Sequence, residues 1–518
     1  MRLNRTLRHW RIWAFITAIV LWPHAASAED IAPDRMAAAL SKLEALAEGV
    51  VADGGVPGLA IGVVHDDKVV FLKGFGRRQA GKPEAVDADT VFQIASLSKP
   101  VSATIVAALV GEKIVSWDSR IADLDPAFRL ADPYPTSELT VRDLFSHRSG
   151  LPGTAGDDLE SIGYDRAEIL HRLRFVPPLS SFRAGYSYSN FGLTEGATAA
   201  AKPTGKPWEE VAEEKLYRPL GMTSTSSRYA DFLKHANRAE LHVKADGVWA
   251  ARIKRDPDAQ APAGGVSSTA RDLSQWVRLV LGNGVYDGKP LIAADALAET
   301  HVPLMTRGRN PVSGSESFYG LGWNVEFGRH GLSWGHAGAF SVGARTLVTL
   351  FPEQKLGIVV VANAFSTGVP EGLSESFADM AFDGTVEKDW VKAWDDAYAS
   401  LFGPAVAAAK ATYAAPSSPA SPAGPASTYT GRYFNDFIGD AVVSGEGDAL
   451  VLKLGPGGAR SYSLEHFDRD MFLTYPDAET PDAPSGVSFV LGPDGKASAM
   501  TVEFLDANHL GTLARVGD

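Results

Sequence analysis

Hydrophobic and polar positions follow several distinct periodicities along this chain, and each predicts an element of secondary structure. Residues 34–50 carry apolar side chains at helical spacing, which predicts an amphipathic helix. Two apolar runs, 58–64 and 69–72, flank a polar tetrapeptide and predict a β-hairpin. Residues 97–111 are apolar and small over the length of a helix. We therefore expect a helix, a hairpin and a second helix in the first part of the chain.

Two further strand signals occur late, at 343–350 and 356–362, and a turn-like segment containing proline joins them. Residues 120–315 are mixed helix and loop, with many prolines and glycines, and residues 371–400 again have helical character. A sheet with one buried face needs helices to cover it, so the simplest arrangement joins the early and late hairpins in one antiparallel sheet. The predicted fold class is α+β, with a helical insertion between the two hairpins.

The composition changes near the C-terminus. Residues 414–427 consist almost entirely of alanine, proline, serine and glycine, as linkers do. Beyond them, short alternating apolar runs separated by glycine and aspartate turns predict a small all-β domain. We place the α+β domain at 29–410, the linker at 411–427 and the β-domain at 428–518.

The N-terminus has the layout of a secretory signal peptide. Four arginines among the first eleven residues precede a short apolar run, and an Ala-Ser-Ala motif at 26–28 provides a cleavage site. The alternative is an uncleaved membrane anchor, but an apolar run this short does not cross roughly 30 Å of hydrocarbon. We expect residues 1–28 to be removed and the mature protein to be periplasmic or secreted, without stable membrane insertion.

Charge and composition exclude several classes of function. The net charge is −13, and it becomes −17 once the signal segment, with four arginines and no acid, is removed. So acidic a chain is a poor partner for nucleic acid. It contains no cysteine, so thiol nucleophiles, disulfides and cysteine zinc sites are absent. The histidines lack metal-ligand spacing and no glycine-rich phosphate loop is present, so we predict no metal and no cofactor.

The candidate nucleophile is Ser96, three residues before Lys99. A serine hydroxyl needs a nearby base, and residues three apart lie on one face of a helix. A buried lysine loses its proton readily, because desolvation disfavours the charged form. Alone, this pair is expected by chance in so long a chain, and its alternative is a surface serine beside a solvated lysine.

Two later motifs accompany this pair. Tyr188 can shuttle the serine proton, and Asn190 can bind a substrate carbonyl or orient Lys99. The alternative for Tyr188 is a half-buried loop aromatic. His336 and Gly338 precede a strong strand signal, and small residues on an edge strand admit a substrate backbone. A satisfied core or turn histidine is the alternative for His336.

These motifs resemble, in order and spacing, those of the serine β-lactamase and penicillin-binding superfamily. The three motifs are Ser96-x-x-Lys99, Tyr188-x-Asn190 and His336-x-Gly338. The class C β-lactamase-like branch, which includes CubicO-type peptidases and esterases, is the most similar. Further similar stretches are Leu144–Pro152, Leu216–Met222, Gly264–Asp272 and Tyr319–Trp323. The resemblance covers residues 34–400, and the C-terminal tail is similar to a lipocalin-like domain through Tyr429–Tyr433.

The resemblance implies a β-lactamase-like sheet flanked by helices and assigns roles to the site residues. It implies that Ser96 is acylated, that Lys99 and Tyr188 share acid and base duty, and that Asn190 contacts the substrate amide. It also implies an oxyanion hole formed by the backbone N–H groups of Ser96 and Ala339. His336 and Gly338 would then contribute to substrate binding.

The third motif departs from the family pattern. Related β-lactamases and carboxypeptidases have Lys-Thr-Gly or a close variant where this chain has His336 and Ala337. The hydroxyl is absent, and a titratable imidazole replaces the fixed cation that helps to bind a substrate carboxylate. This difference favours peptidase or esterase activity over efficient β-lactam hydrolysis.

The sequence therefore predicts an exported serine hydrolase that cleaves amide bonds, in a peptide that can include D-amino acids, through a Ser96 acyl-enzyme. An esterase or a weak class C-like β-lactamase using the same site is one alternative. A non-catalytic, penicillin-binding-like sensor is another, although such a protein is expected to have lost Ser96, Lys99 or Tyr188. A small molecule or peptide is the expected partner, and assembly into a homo-oligomer stays open.

Overall fold

The computed structural model describes residues 30–416, 419–446, 449–476 and 483–517. The predicted signal peptide, residues 1–28, lies outside the described residues. Within these ranges, every helix is too short or too polar to traverse a bilayer.

Fifteen α-helices are present in the described ranges. They are α1 Pro33–Ala52, α2 Ser98–Gly111, α3 Ile121–Leu124, α4 Pro133–Glu138, α5 Val141–Phe145, α6 Asp157–Ser161, α7 Arg166–Arg172, α8 Asn190–Ala201, α9 Trp208–Ala212, α10 Tyr229–Lys234, α11 Ala261–Gly264, α12 Ala270–Leu281, α13 Ala294–Ala298, α14 Val369–Phe382 and α15 Trp390–Thr412.

The strands form one large sheet, three two-stranded ribbons and a barrel. The large sheet contains β1 Gly58–His65, β2 Lys68–Gly76, β9 Met305–Arg309, β10 Glu316–Tyr319, β11 Asn324–Gly328, β12 Gly331–Phe340, β13 Ala344–Phe351 and β14 Leu356–Ala362. The ribbons pair β3 Phe92–Gln93 with β6 Ser267–Ser268, β4 Val243–Ala245 with β5 Val248–Ala250, and β7 Val285–Tyr286 with β8 Lys289–Pro290. The barrel contains β15 Gly431–Asn435, β16 Gly439–Glu446, β17 Ala449–Leu454, β18 Arg460–Asp468, β19 Met471–Thr474, β20 Ser485–Leu491, β21 Ala497–Val502 and β22 Thr512–Gly517.

The large sheet is antiparallel and joins the two ends of the α+β domain, as the sequence predicts. Its strand order is β2-β1-β14-β13-β12-β11-β10-β9, so the first hairpin lies directly beside the last. Leu59 pairs with Ala362, and the register continues to His65 opposite Leu356. Strands β1 and β14 are buried on both faces, which explains their continuous apolar sequences.

Helices cover both faces of this sheet. The helices α1 and α14 pack on one face, where Leu43 and Phe377 meet Ile61 and Val360. On the other face, α12 packs against β1 and β14, and α2 lies within the same core. The α+β class and the β-lactamase-like arrangement are confirmed, and the site forms on the face that carries α2.

Two boundaries differ from the sequence predictions. The segment of helical character at 371–400 is divided between two helices, α14 and α15, separated by a segment in which Gly384 has a φ of 78°. A glycine tolerates this left-handed conformation and ends the first helix, and Asp389 caps the second by accepting from the Lys392 N–H. The second helix continues to Thr412, so helix extends past the predicted start of the linker at 411.

The C-terminal domain is a closed barrel of eight antiparallel strands, in agreement with the all-β prediction. Closure pairs β15 with β22, and the interior is filled by aromatic and aliphatic side chains such as Tyr433 and Phe489. The barrel contacts the α+β domain through hydrogen bonds. Arg172 donates to the carbonyl groups of Asp436 and Phe437, and the Tyr164 hydroxyl donates to the Ile438 carbonyl.

Candidate active site

Ser96 lies in a tight turn directly before α2. The turn begins after Ala95, whose φ of 48° is unusual for a residue with a Cβ atom. Ser98 holds the turn, since its hydroxyl donates to the Ala95 carbonyl and accepts from the Val266 N–H. Ser96 itself is half-buried, so its hydroxyl is fixed at the start of the helix while a substrate can still reach it.

Lys99, one helical turn later, is completely buried and points back at Ser96. Its Nζ lies 3.1 Å from Ser96 Oγ, 2.7 Å from Asn190 Oδ1 and 3.0 Å from the Ala263 carbonyl oxygen. The last two atoms only accept hydrogen bonds. When Lys99 is neutral, its two N–H bonds are used by Asn190 and Ala263, so its lone pair faces Ser96. This is the geometry of a general base.

The protonation state of Lys99 agrees with that geometry. Burial disfavours the ammonium ion and lowers the lysine pKa to about 7, while the negative charge of Asp157 opposes the shift. A substantial fraction of Lys99 is therefore neutral at neutral pH. The Tyr188 ring packs against it, with Nζ 4.4 Å from the ring centroid.

Tyr188 and Asn190 come from the loop before α8 and the first residue of that helix. Ser189, between them, caps the helix by accepting from the Gly192 N–H. Burial raises the pKa of the Tyr188 hydroxyl far above its usual value, although its hydrogen bond with Ser96 works in the opposite direction. Tyr188 consequently stays protonated, which suits a proton donor better than a base.

The third motif lies on β12, where this strand passes the nucleophile turn. Pairing with β11 stops at Gly335, so the segment from His336 onward pairs only with β13 and its other edge is open. A Cβ atom added to Gly338 would stand 2.2 Å from the Ile94 carbonyl oxygen and 2.9 Å from the Leu97 nitrogen. Gly338 thus permits close packing of β12 on the turn, and the half-buried Ala339 follows it.

His336 differs from the expectation of a titratable group. Its side chain is only 4% exposed, and burial together with nearby Lys99 lowers its pKa to about 3. Nδ1 lies 2.7 Å from the Ala337 carbonyl, and Nε2 lies 3.0 Å from the Tyr319 hydroxyl. The imidazole therefore stays neutral throughout the usual pH range and carries no charge for binding a carboxylate.

A hydrogen-bonded series of side chains continues from His336 behind the site. The Ser189 N–H donates to Nδ1 of His147, 3.1 Å away, so Nε2 of that ring carries the proton. His147 Nε2 lies 3.3 Å from the Tyr319 hydroxyl, which in turn donates to His336. Every donor finds an acceptor only if both histidines are neutral, and burial lowers the pKa of His147 well below its usual value.

Sequence reasoning identified Ser96, Lys99, Tyr188 and Asn190, and the structure brings all four together. It gave no role to His147 or Tyr319, although both lie in stretches that resemble the family. It also missed Asp157, which accepts hydrogen bonds from the Asn190 amide at 3.2 and 3.3 Å. Its proximity to Asn190 depends on tertiary contacts that the local pattern does not encode.

One group of described residues has the composition of a metal site but lies elsewhere. His330, Asp379 and Asp383 place their ligand atoms within 4.8 Å of one another. The guanidinium of Arg329 pairs with both aspartates there, at 3.3 Å from Asp379 Oδ1 and 2.5 Å from Asp383 Oδ2. The guanidinium of Arg329 therefore already pairs with the carboxylates of this cluster, which adjoins α14 on the sheet face opposite the nucleophile.

The sequence models of two families match this chain. The model described as Beta-lactamase matches residues 43–375, and the model described as a domain of unknown function, DUF3471, matches residues 415–512. The first match includes every residue of the site, and the second covers the barrel up to the start of β22.

Individual relatives agree with these matches. The chain is 25% identical to the unguisins hydrolase ungD' of Aspergillus campestris (strain IBT 28561), over 86% of each chain. It is 26% identical to the D-alanyl-D-alanine-carboxypeptidase/endopeptidase AmpH of Escherichia coli (strain K12), over 63% of this chain and 84% of the relative.

Solved structures show the same fold. An octameric penicillin-binding protein homologue from Pyrococcus abyssi aligns with a TM-score of 0.52 at 18% identity, over 92% of this chain and 99% of that chain. The crystal structure of SurE aligns with a TM-score of 0.56 at 21% identity, over 93% and 100%. Both alignments extend over nearly the whole chain.

Proposed function

The chain belongs to the Beta-lactamase family, and we propose that it is an exported serine hydrolase that cleaves peptide amide bonds through a Ser96 acyl-enzyme. The observation that carries the proposal is the position of Lys99. Its two acceptor-only partners use the N–H bonds of the neutral amine, so the Nζ lone pair faces Ser96 Oγ at 3.1 Å. Burial lowers the pKa of Lys99 to about 7. A base matched to neutral pH, in contact with a nucleophile, is what acyl transfer needs.

The proposed reaction uses the residues in turn. Lys99 takes the Ser96 proton as Oγ attacks the carbonyl carbon, and the N–H groups of Ser96 and Ala339 hold the developing oxyanion. The C–N bond breaks, and Tyr188 protonates the leaving amine and recovers a proton from Lys99. Water then attacks the acyl-enzyme and gives its proton back through the same groups, which releases the acid and restores the Ser96 hydroxyl. Asn190 orients Lys99 and contacts the substrate amide.

The proposed substrate is a peptide that contains D-amino acids. Support comes from a relative named as a D-alanyl-D-alanine-carboxypeptidase/endopeptidase, and another relative is named as a hydrolase. The third motif argues against efficient β-lactam hydrolysis, because His336 is neutral and cannot replace the lysine ammonium that binds a substrate carboxylate in related enzymes. Arg307 supplies a fixed positive charge nearby, with its guanidinium 5.8 Å from the Tyr186 ring centroid, and this exposed residue suits a flexible substrate carboxylate.

Finer assignments form part of the same proposal. We assign the chain to the CubicO-type branch and the barrel to a lipocalin-like domain, supported by its eight closed antiparallel strands. The division into residues 29–410, 411–427 and 428–518 and the removal of residues 1–28 on export also belong to the proposal. The signal-peptide layout of residues 1–28 supports a location outside the cytoplasm.

A matched substrate panel tests the proposal. A peptide ending in D-Ala-D-Ala, its L-Ala-L-Ala counterpart, the corresponding ester and nitrocefin are incubated with the mature protein and with the Ser96→Ala variant. We expect the D-peptide to be cleaved at least about tenfold faster than the L-peptide, and Ser96→Ala to abolish cleavage. Cleavage of the ester or nitrocefin alone would favour the esterase or weak β-lactamase, and no Ser96-dependent turnover would favour a binding protein.

A further inference from the structure

A buried carboxyl group extends the Lys99 contact network beyond the residues that the proposed mechanism uses. Lys99 Nζ donates to Asn190 Oδ1 at 2.7 Å, and the other end of the same amide, Nδ2, donates to Asp157 at 3.2 and 3.3 Å. Asp157 is the first residue of α6, a segment far from both partners in sequence. The three side chains form a continuous path from the general base to an acid.

Asp157 selects the orientation of the Asn190 amide. Ionised carboxylate oxygens only accept hydrogen bonds, so they attract the NH2 end of the amide and leave the carbonyl end for Lys99. In the reversed orientation, the amide would present its NH2 group to the lysine Nζ, and two donors would face each other. The hydrogen bond that directs the Lys99 lone pair at Ser96 thus depends on Asp157.

The charge of Asp157 also matters for Lys99. During acylation Lys99 becomes an ammonium ion in a site that excludes water, and a carboxylate two hydrogen bonds away offsets that charge. The histidines that face Lys99, His147 and His336, are neutral and cannot do so. Among the causes of the Lys99 pKa, Asp157 is the one that opposes desolvation.

The surroundings of Asp157 keep this effect finely balanced. Burial makes the largest contribution and raises the pKa of Asp157 to about 7. The charges of Glu160 and Asp158 raise this pKa as well, and the charge of Arg255 lowers it. Glu160 forms an ion pair with Arg255 at 2.6 Å, which leaves Asp157 as the carboxyl group directed at Asn190. Burial raises the pKa of the neighbouring Asp158, and the charge of Asp506 in the barrel raises it further.

We propose that Asp157 is a positioning residue of this hydrolase, which orients Asn190 and provides the counter-charge that keeps Lys99 a strong enough base. The proposal rests on the proposed function, in which Lys99 activates Ser96. Asp157 does not touch the reacting atoms and acts only through Asn190.

The test measures the rate at which a fluorophosphonate probe phosphonylates Ser96, with loss of fluoride, between pH 5 and pH 9, by intact mass. Asp157→Asn keeps an acceptor oxygen but removes the charge. We expect the acid limb of the profile to move about one pH unit lower, because the Lys99 ammonium loses its counter-charge, with a lower plateau from the weaker base. Asp157→Ala also leaves the Asn190 amide free to turn, so the plateau of the labelling rate should fall about tenfold further.

Asp158→Asn is the matched control: it removes an adjacent charge that raises the Asp157 pKa but leaves the Asp157 carboxylate on Asn190, so its acid limb should not move to lower pH. If Asp157→Asn does not fold, Asn190→Ala breaks the same path, and its acid limb must also move to lower pH. If the acid limbs of Asp157→Asn and Asn190→Ala both coincide with that of the wild type, the role of Asp157 is overturned. Absence of labelling at Ser96 in the wild type would instead overturn the proposed function.

Discussion

At the scale of single residues, the site depends on side chains that position the catalytic groups without reacting themselves. His147 shows this best. Its carbonyl accepts from the Ser187 N–H at 2.8 Å and its Nδ1 accepts from the Ser189 N–H, so it fixes the backbone on both sides of Tyr188. Its ring also packs on the Tyr188 ring, 4.6 Å between centroids. The φ of 56° at His147 indicates backbone strain that the surrounding contacts maintain.

His147→Phe keeps a ring in this position and removes both ring hydrogen bonds. We expect the acylation rate to fall about 10- to 100-fold, because Tyr188 is no longer held against Lys99 and Ser96. Leaving the buried Ser189 N–H without its acceptor should also cost about 1–3 kcal/mol of the free energy of unfolding. Acylation kinetics and chemical denaturation measure the two effects.

His301→Phe is the control for that variant. His301 is also buried and stacked, 3.7 Å from the Trp334 ring centroid, but it has no contact with the Tyr188 loop. It should lose stability at most, with its acylation rate unchanged. Equal loss of rate in the two variants would argue against a specific role for His147.

At the scale of elements, α8 carries both the site and a buried acid. Asn190 begins this helix, and Glu195, further along it, is 0% exposed beside Asp125. Burial and the Asp125 charge raise the pKa of Glu195 well above its ordinary value of 4.5, so the carboxyl group is protonated in the folded protein. Its stabilising contribution is present in full below about pH 4.5 and is lost as the pH rises towards the folded-state pKa.

Glu195→Gln removes this titration while keeping the shape of the side chain. We expect the melting temperature of the variant to exceed that of the wild type by an amount that grows from pH 5 to pH 8, because only the wild type must keep a proton on a buried acid. Differential scanning calorimetry across this range measures the difference. Glu210→Gln, an exposed position on α9, should show no such trend, and a pH-independent difference for Glu195→Gln would contradict the assignment.

Elements were easier to predict than the contacts between them. The inner strands of the early and late hairpins, β1 and β14, have continuous apolar sequences because both faces are covered, and their pairing followed from that pattern. The break between α14 and α15 was missed because both helices are apolar on one face and only Gly384 marks the interruption. His147 and Tyr319 are 172 residues apart, and no local periodicity connects them.

At the scale of the whole molecule, the barrel docks beside the segment that holds Asp157. Asn508, in the loop before β22, exchanges a hydrogen bond with Thr154 at 3.2 Å, just ahead of α6. Arg172 and Tyr164 hold the barrel on α7 and the preceding loop. The sequence predicted a linker and a β-domain, but it could not predict this docking, because side-chain contacts across a domain interface leave no pattern in either segment.

The central claim, that Ser96 is the nucleophile of an acyl-transfer site, is tested most directly by covalent trapping. The mature protein and its Ser96→Ala variant are treated with a fluorophosphonate, and the modified residue is located by peptide mass spectrometry. We expect one adduct per wild-type chain, on Ser96, and none on the variant. Modification of both proteins to the same extent, or of a different serine in the wild type, would contradict the account.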